Sequence, residues 1–504
     1  MDGHRGVGLE KVTIRRKLNT FDVTNLVVGS IIGADIYVVT AISAKLVGPS
    51  SLLAWVAGGI IAMVIAMSFA YCVMIRPRVG GPYAYVTEVS SQFVGFEVGW
   101  ALLLAEWFSL SVFPVAFAQY FTALVPGVDG MGQVLLKAAF IAIIFSTNVV
   151  GTMTAGRLND GLTIAKLTPL VLIVLGGFAF MFTQPATVAS NLTPFFTGDA
   201  ADFGHALVLV FWAFAGFELS TLPANEVEAP ERTVPRAIVL GLFIVIGFYL
   251  LTNLVVIGAM SEASLVASTS PLIDSTRALF SPLGAGAGAV VLVVGVGALL
   301  SILGADESGT IGTSRLAYAM SADGLLPHRL SRLHPRYGTP YLALAGLCAT
   351  AFVASLLGGL NALINTSVFL LTFVYLATCI SAILLACRHK EEAARLRVRP
   401  WICVLGAALA VGLMLMVEPT EILIALVLLG AGVPIYAFFS PRKEITEVKR
   451  MLLSRESVAR QAHRQTKRFL ALPVHGLRTL YQRHTGTGNA FRSDEDARDR
   501  QDKS

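Results

Sequence analysis

The chain has 504 residues, 55% of them hydrophobic and only 14% charged, with a mean hydropathy of +0.71. A soluble protein of ordinary composition carries about 25% charged residues, so a water-soluble enzyme or binding module is excluded and an integral membrane protein is implied. The formal charge of +6 would suit a nucleic-acid partner, but the placement of the basic residues excludes one.

Apolar runs of about 20 residues, long enough to cross a bilayer as a helix, recur roughly twelve times along the chain. In order they lie near 22–46, 51–75, 92–125, 133–151, 159–182 and 205–226, then 236–259, 286–320, 340–358, 362–387, 400–417 and 421–440. An all-α integral membrane protein follows as the fold class. Lys11, Arg15, Arg16 and Lys17 precede the first span, and Arg76 and Arg78 follow the second. Arg329, Arg332 and Arg336 follow the eighth, and Arg388, Lys390, Arg395, Arg397 and Arg399 follow the tenth. The alternate loops, near Asp129, Asp199, Asp202, Glu262 and Glu418, lean acidic. Lys and Arg mark cytoplasmic loops, so an even number of spans places both termini in the cytoplasm. The basic residues record topology.

The five cysteines lie in or beside apolar spans without metal-type or redox-type spacing, and read as reduced packing residues. The charged N-terminus leads into a long span, not into the short apolar core of a cleaved signal. No metal cluster, phosphate loop or nucleophile motif is present, so neither a cofactor nor enzymatic chemistry is expected.

Span 1 is interrupted by Gly29-Ser30-Ile31-Ile32-Gly33-Ala34-Asp35. A helix in lipid must satisfy its own backbone hydrogen bonds, so glycines and an aspartate in mid-span predict a helix that breaks inside protein or beside water. Span 6 repeats the pattern at Phe214-Ala215-Gly216-Phe217-Glu218. Five spans separate the two breaks. Because five is odd, a second five-helix unit enters the membrane from the opposite face, giving a 5+5 inverted repeat (about 21–183 and 204–387) with two appended helices near 400–440. Breaks at equivalent places in both halves point to a midplane binding site. Spans 3 and 8 are correspondingly long. Residues 1–20 form a cytoplasmic segment, 21–440 the membrane domain and 441–504 a polar basic tail. A helix on the inner leaflet over Ser454–Leu470 is compatible with that tail's charges, and its end, from His484, reads as disordered.

Several pieces, taken in order, resemble the amino acid–polyamine–organocation transporter superfamily over nearly all of 20–440. They are Gly29-Ser-Ile-Ile-Gly33, Ala44-Lys45-Leu-Val-Gly48-Pro49, Arg76-Pro-Arg-Val-Gly-Gly81-Pro82-Tyr83 and Phe211-Trp212-Ala-Phe-Ala-Gly216-Phe-Glu218. Asn225-Glu-Val-Glu-Ala-Pro230-Glu-Arg232, Ser314-Arg315-Leu-Ala-Tyr-Ala-Met-Ser-Ala-Asp323-Gly324 and Tyr337-Gly-Thr-Pro340 complete the set. The resemblance implies a LeuT-type fold and alternating access. It also implies that a substrate α-carboxylate meets free N–H groups from about Ile32 to Asp35, and its α-ammonium the carbonyls near Ile31, Trp212 and Ala215. Half-helix N-termini carry such unsatisfied donors and a positive dipole end. A glycine-rich helix crossing would explain the glycines alone, but not Asp35.

Asp35 departs from the family, many of whose members have glycine there. An ionised aspartate would repel an incoming carboxylate. Asp35 therefore carries a proton, pairs with a protein cation, receives an amine, or caps the outer half-helix. The amine reading favours polyamines or other organic cations. Further acids at membrane depth are Glu106 in span 3, Glu218 in span 6, and Asp306 and Glu307 in span 8; charges in spans are functional candidates by default. Neighbours on a helix point about 100° apart, so Asp306 and Glu307 face different directions. Lys166 in span 5 matches a lysine that sodium-independent members place where sodium-coupled relatives bind an ion. It either supplies charge in place of sodium or snorkels to the interface.

The expected function is secondary transport of amino acids across the cytoplasmic membrane, sodium-independent and driven by proton symport or exchange. A polyamine carrier and a transporter-like sensor signalling through the tail are the alternatives. The candidate substrate residues are Ser30, Ile31, Ile32, Gly33, Ala34, Asp35, Glu106, Phe211, Trp212, Phe214, Ala215, Gly216, Glu218 and Glu307; Lys166 and Asp306 are candidates for the coupling site. The partners are a small solute, the lipid bilayer and, in coupling, a proton.

Overall fold

In the computed structural model the described residues are 18–77, 80–150, 155–221 and 227–440, with residues 155–165 and 220–221 described by backbone alone. The basic segment before Leu18 and the tail after Ser440 lie outside them, as do the readings made of both.

Among the described residues, each apolar run of the sequence contains helix. Span 1 is two helices, α1 (Thr20–Ile31) and α2 (Ala34–Val47), followed by α3 (Ser51–Ile75) and a short α4 (Gly81–Val89). The long α5 (Gln92–Leu124) leads to α6 (Met131–Val150), α7 (Ala155–Thr183) and α8 (Pro185–Asn191). In the second half come α9 (Ala200–Trp212), α10 (Pro230–Ala259), α11 (Glu262–Ala267), α12 (Pro271–Leu279) and the long α13 (Ala287–Ala322). The chain continues as α14 (Tyr341–Leu357), α15 (Leu360–Arg388), α16 (Lys390–Arg395), α17 (Pro400–Leu415) and α18 (Pro419–Phe439). Nine stretches among the described residues are long and apolar enough to cross a membrane, and α14 and α17 are shorter apolar helices.

The two interrupted spans begin alike. Asn19 caps α1 and Asp199 caps α9, each in a reciprocal pair with the aspartate three residues on, Asp22 or Asp202. Such a pair satisfies donors that the first turn leaves free. Both helices then stop in mid-span, α1 at Ile31 and α9 at Trp212. Around them stand α3, α5, α10, α13 and α15, with α5 lying along α15 and α13, and α3 along α10. The helices α6, α14, α17 and α18 pack on the outside of this ring. A helix buried on all sides carries no amphipathic stripe, which is why hydropathy found these elements but could not order them.

Both ends of the bundle are tied. Where α1 begins, Glu228 N–H donates to the Leu18 carbonyl at 2.9 Å, Arg76 pairs with Glu88 at 3.3 Å, and Tyr83 Oη donates to Asp323 at 2.8 Å. At the opposite end Tyr120 Oη donates to the Tyr37 carbonyl at 2.7 Å and accepts from Leu272 N–H at 3.4 Å. One side chain of α5 thereby joins α2 to α12.

Candidate functional site

At the first break Ile32 and Gly33 leave the helix, and α2 starts at Ala34 with Gly33 as its cap. Glycine is required by space: a Cβ on Gly33 would stand 2.5 Å from that of Ala305 in α13. The carbonyls released by the break find partners from other helices. Gly29 O accepts from Lys166 Nζ at 2.8 Å, Ile31 O from Tyr249 Oη at 3.2 Å, and Ile32 O from Ser301 Oγ at 3.4 Å. Asp35, in the first turn of α2, receives Tyr249 Oη on Oδ2 at 2.5 Å, and its Oδ1 lies 3.0 Å from where a Cβ on Gly33 would stand. Tyr249 sits in an aromatic cluster with Trp55 and Phe214.

The second break follows the same plan. After Trp212 the chain turns through Ala213–Gly216 and resumes as a 3₁₀ turn at Phe217. Gly216 has φ +116°, in the region that favours glycine. Its N–H donates to both oxygens of Glu218 at 3.0 Å, and Tyr375 Oη of α15 donates to Glu218 Oε2 at 2.8 Å. Tyr375 is packed among Phe69, Phe211 and Phe217. Each break thus carries a buried acid held by a tyrosine hydroxyl from a distant helix. The two breaks also touch: Ser30 Oγ donates to Gly216 O at 3.0 Å, and a Cβ on Gly216 would meet Ser30 O at 2.7 Å.

Between the breaks lies a cavity of about 30 Å³, room for a water or two. Ser30, Ile31, Asp35, Glu106, Trp212, Ala215 and Gly216 line it, all of them residues singled out in the sequence. Ile32, Gly33, Ala34, Phe211, Phe214, Glu218 and Glu307 do not line it. Phe211 and Phe214 pack behind it against Tyr375 and Trp55, while Glu218, held by Gly216 N–H and Tyr375 Oη, stands outside the lining. Lys166 and Asp306 are buried to 1% exposure and stand outside the cavity. Asp306 is buried while its neighbour Glu307 is partly exposed, as expected of adjacent residues that point about 100° apart on a helix. Among the described residues no group of His, Cys, Asp and Glu could hold a metal ion.

The lining also includes Ser109, Leu110, Phe113, Leu219, Ala305, Gly309 and Leu371, which the sequence did not single out. Ser109 accepts Trp212 Nε1–H at 3.0 Å, and Phe113 packs edge-on against the same indole. A signal for them existed: Ser109, Leu110 and Phe113 follow Glu106 by three, four and seven residues, one face of a helix. Tyr249 left none.

Interrupted helices meeting around a buried cavity inside a ring of membrane-length helices define a transport protein of the broken-helix class. Residues 18–446 match the family model described as amino acid permease, and the chain belongs to that family. It is similar to the serine/threonine exchanger SteT of Bacillus subtilis, 26% identical over 85% of this chain and 98% of that protein. It is similar also to the branched-chain amino acid permease BcaP of the same organism, 27% identical over 66% of this chain and 72% of the relative. A methylthioribose transporter of Bacillus subtilis is 25% identical over 86% and 95% of the two chains. The superfamily motifs read from the sequence therefore led to the right family, and its members are transporters, not enzymes.

Proposed function

We propose that this permease carries amino acids across the cytoplasmic membrane by alternating access at the cavity between α1–α2 and α9, without using sodium. The contact of the two breaks around a single cavity is the observation that carries the reading, since half-helix ends expose the dipoles that hold a small zwitterion. A cavity of this size admits only water, so loading must spread Trp212 and the breaks apart. The basic loops support a cytoplasmic position for both termini.

Independence from sodium is supported by Lys166. Its ammonium occupies the Gly29 carbonyl beside the first break, where a bound cation would face like-charge repulsion. Exchange is supported by the resemblance to a serine/threonine exchanger along nearly its whole length; proton symport is the other coupling that needs no sodium. Purified protein in liposomes, given radiolabelled threonine and leucine, tests all of this. Uptake is expected to be the same under inward sodium or potassium gradients, and to rise with internal substrate for exchange or with an inward proton gradient for symport. Stimulation by sodium alone would refute the coupling, and no uptake of any amino acid would refute the function.

A further inference from the structure

The ends of α3, α4 and α15 meet in a group of charged side chains that the cavity does not use. Arg76, just past α3, gives its Nε–H to Glu88 of α4, an ion pair at 3.3 Å. Arg388, the last residue of α15, donates through Nη1 to the Glu88 carbonyl at 2.9 Å and through Nη2 to the Val89 carbonyl at 2.7 Å. Those carbonyls belong to the last turn of α4, which has no partners for them within its own helix. Two arginines from different helices thus fasten the end of α4.

His389 completes the group. It follows Arg388 and caps α16, and its Nδ1 and Nε2 each stand 3.2 Å from Arg76 Nη2. A guanidinium nitrogen equally distant from both ring nitrogens lies over the face of the ring. The charged neighbours of His389 are Arg76 from α3, Glu88 of α4 behind it, Arg388 and Lys390 on either side in the chain, and Glu391 and Glu392 in the first turn of α16. Among the described residues no carboxylate pairs with the ring itself. Arg76 and Glu88 expose 35% and 18% of their side chains, and partly buried charges are screened little by salt.

A neutral imidazole suits this place, since it carries no charge and keeps one nitrogen as an acceptor. An imidazolium has two donors and no acceptor, and it sets a second positive charge against the guanidinium. Imidazole changes charge between about pH 5 and 8. Arg76 is anchored on Glu88, so the repulsion acts on the other partner, the end of α15 that carries both Arg388 and His389. That end lies on the face that the basic loops assign to the cytoplasm. From there α15 runs to Tyr375, which holds Glu218 at the second break.

We infer that His389 is a proton sensor on the cytoplasmic face, whose protonation parts the end of α15 from α3 and α4 and loosens the inner closure of the carrier. The parting is independent of what the cavity carries; only its effect on transport rests on the proposed function.

The test places nitroxide labels at Ser90→Cys and Ala394→Cys, both exposed positions, in full-length protein carrying Cys387→Ser, the other four cysteines being buried. Pulsed spin-resonance distances are read in liposomes from about pH 8 down to about pH 5, the range of an imidazole. With His389 present the distance is expected to lengthen on acidification. His389→Gln should stay short throughout, and His389→Lys, a permanent cation, long throughout. Melting temperature and elution volume establish folding, and His389→Gln alone decides if His389→Lys does not fold. Threonine exchange, measured without labels and with equal pH on both sides, removes any proton gradient; its pH profile should lose one step in His389→Gln. Lengthening that persists in His389→Gln would assign the effect to another group and overturn the sensor, as would a distance that ignores pH. Moving labels with identical exchange profiles in wild type and His389→Gln would overturn the link to the inner closure. Moving labels without transport of any amino acid would overturn the carrier reading and leave the sensor, and transport with unmoving labels the reverse.

Discussion

A carboxyl group placed in a membrane span must find its donors within the protein, because hydrocarbon offers none. Glu218 meets that demand through Gly216 N–H and Tyr375 Oη, and in doing so fixes the unwound turn as well as itself. Removing the tyrosine hydroxyl leaves an acceptor short of a donor in a buried place. Tyr375→Phe is therefore expected to destabilise the protein by about 1–3 kcal/mol, read as a lowered melting temperature of the detergent-purified protein. Gly216→Ala is expected to be worse for function than for expression. The new methyl group would press on the Ser30 carbonyl at 2.7 Å in a backbone region hostile to side chains. Loss of uptake with the protein still correctly inserted would be the outcome, and normal uptake by this variant would show that the turn is not held as described.

Among the elements, α13 is the partner against which span 1 breaks. Its Ala305 faces Gly33, and Ala305 and Gly309, one turn apart, give the cavity a wall without bulk. A branched side chain at Gly33 would have to push α13 away or reshape the break. Gly33→Val should abolish transport, whereas Gly346→Ala on the outlying α14, where nothing lies within 4 Å, should leave uptake unchanged. The pair separates damage to the break from a general cost of altering membrane glycines. Equal uptake by both variants would mean that the approach of α13 to the break has no part in transport.

For the whole molecule, the spans and their interruptions were legible because hydropathy and mid-span glycines and acids are local signals. The clasps were not. Tyr249 lies 214 residues from Asp35, and Tyr375 lies 157 from Glu218; within its own helix each reads as one more apolar residue. Glu106 was visible as a costly acid, but its company with Ser109 and Phe113 emerges only once α5 is known to turn that face inward. Families of interrupted-helix carriers share the local signals, so the family was recognisable where the individual chemistry was not. The tail beyond 440 bears on the sensor alternative. Because family resemblance ends near 446, a chain shortened to residues 1–445 should retain uptake at the full-length rate per molecule inserted. A truncated chain that inserts yet no longer transports would move part of the mechanism into the tail.

The meeting of Ser30 with Gly216 has a mechanical consequence. Two hinges that touch at one point, with a hydroxyl shared between its own helix and a carbonyl of the other, resist swinging independently while that contact lasts. Tilting one half to admit a solute is expected to turn the other half in the same stroke. A rigid bridge installed at that contact would jam both doors at once, while a bridge at either rim would jam only one.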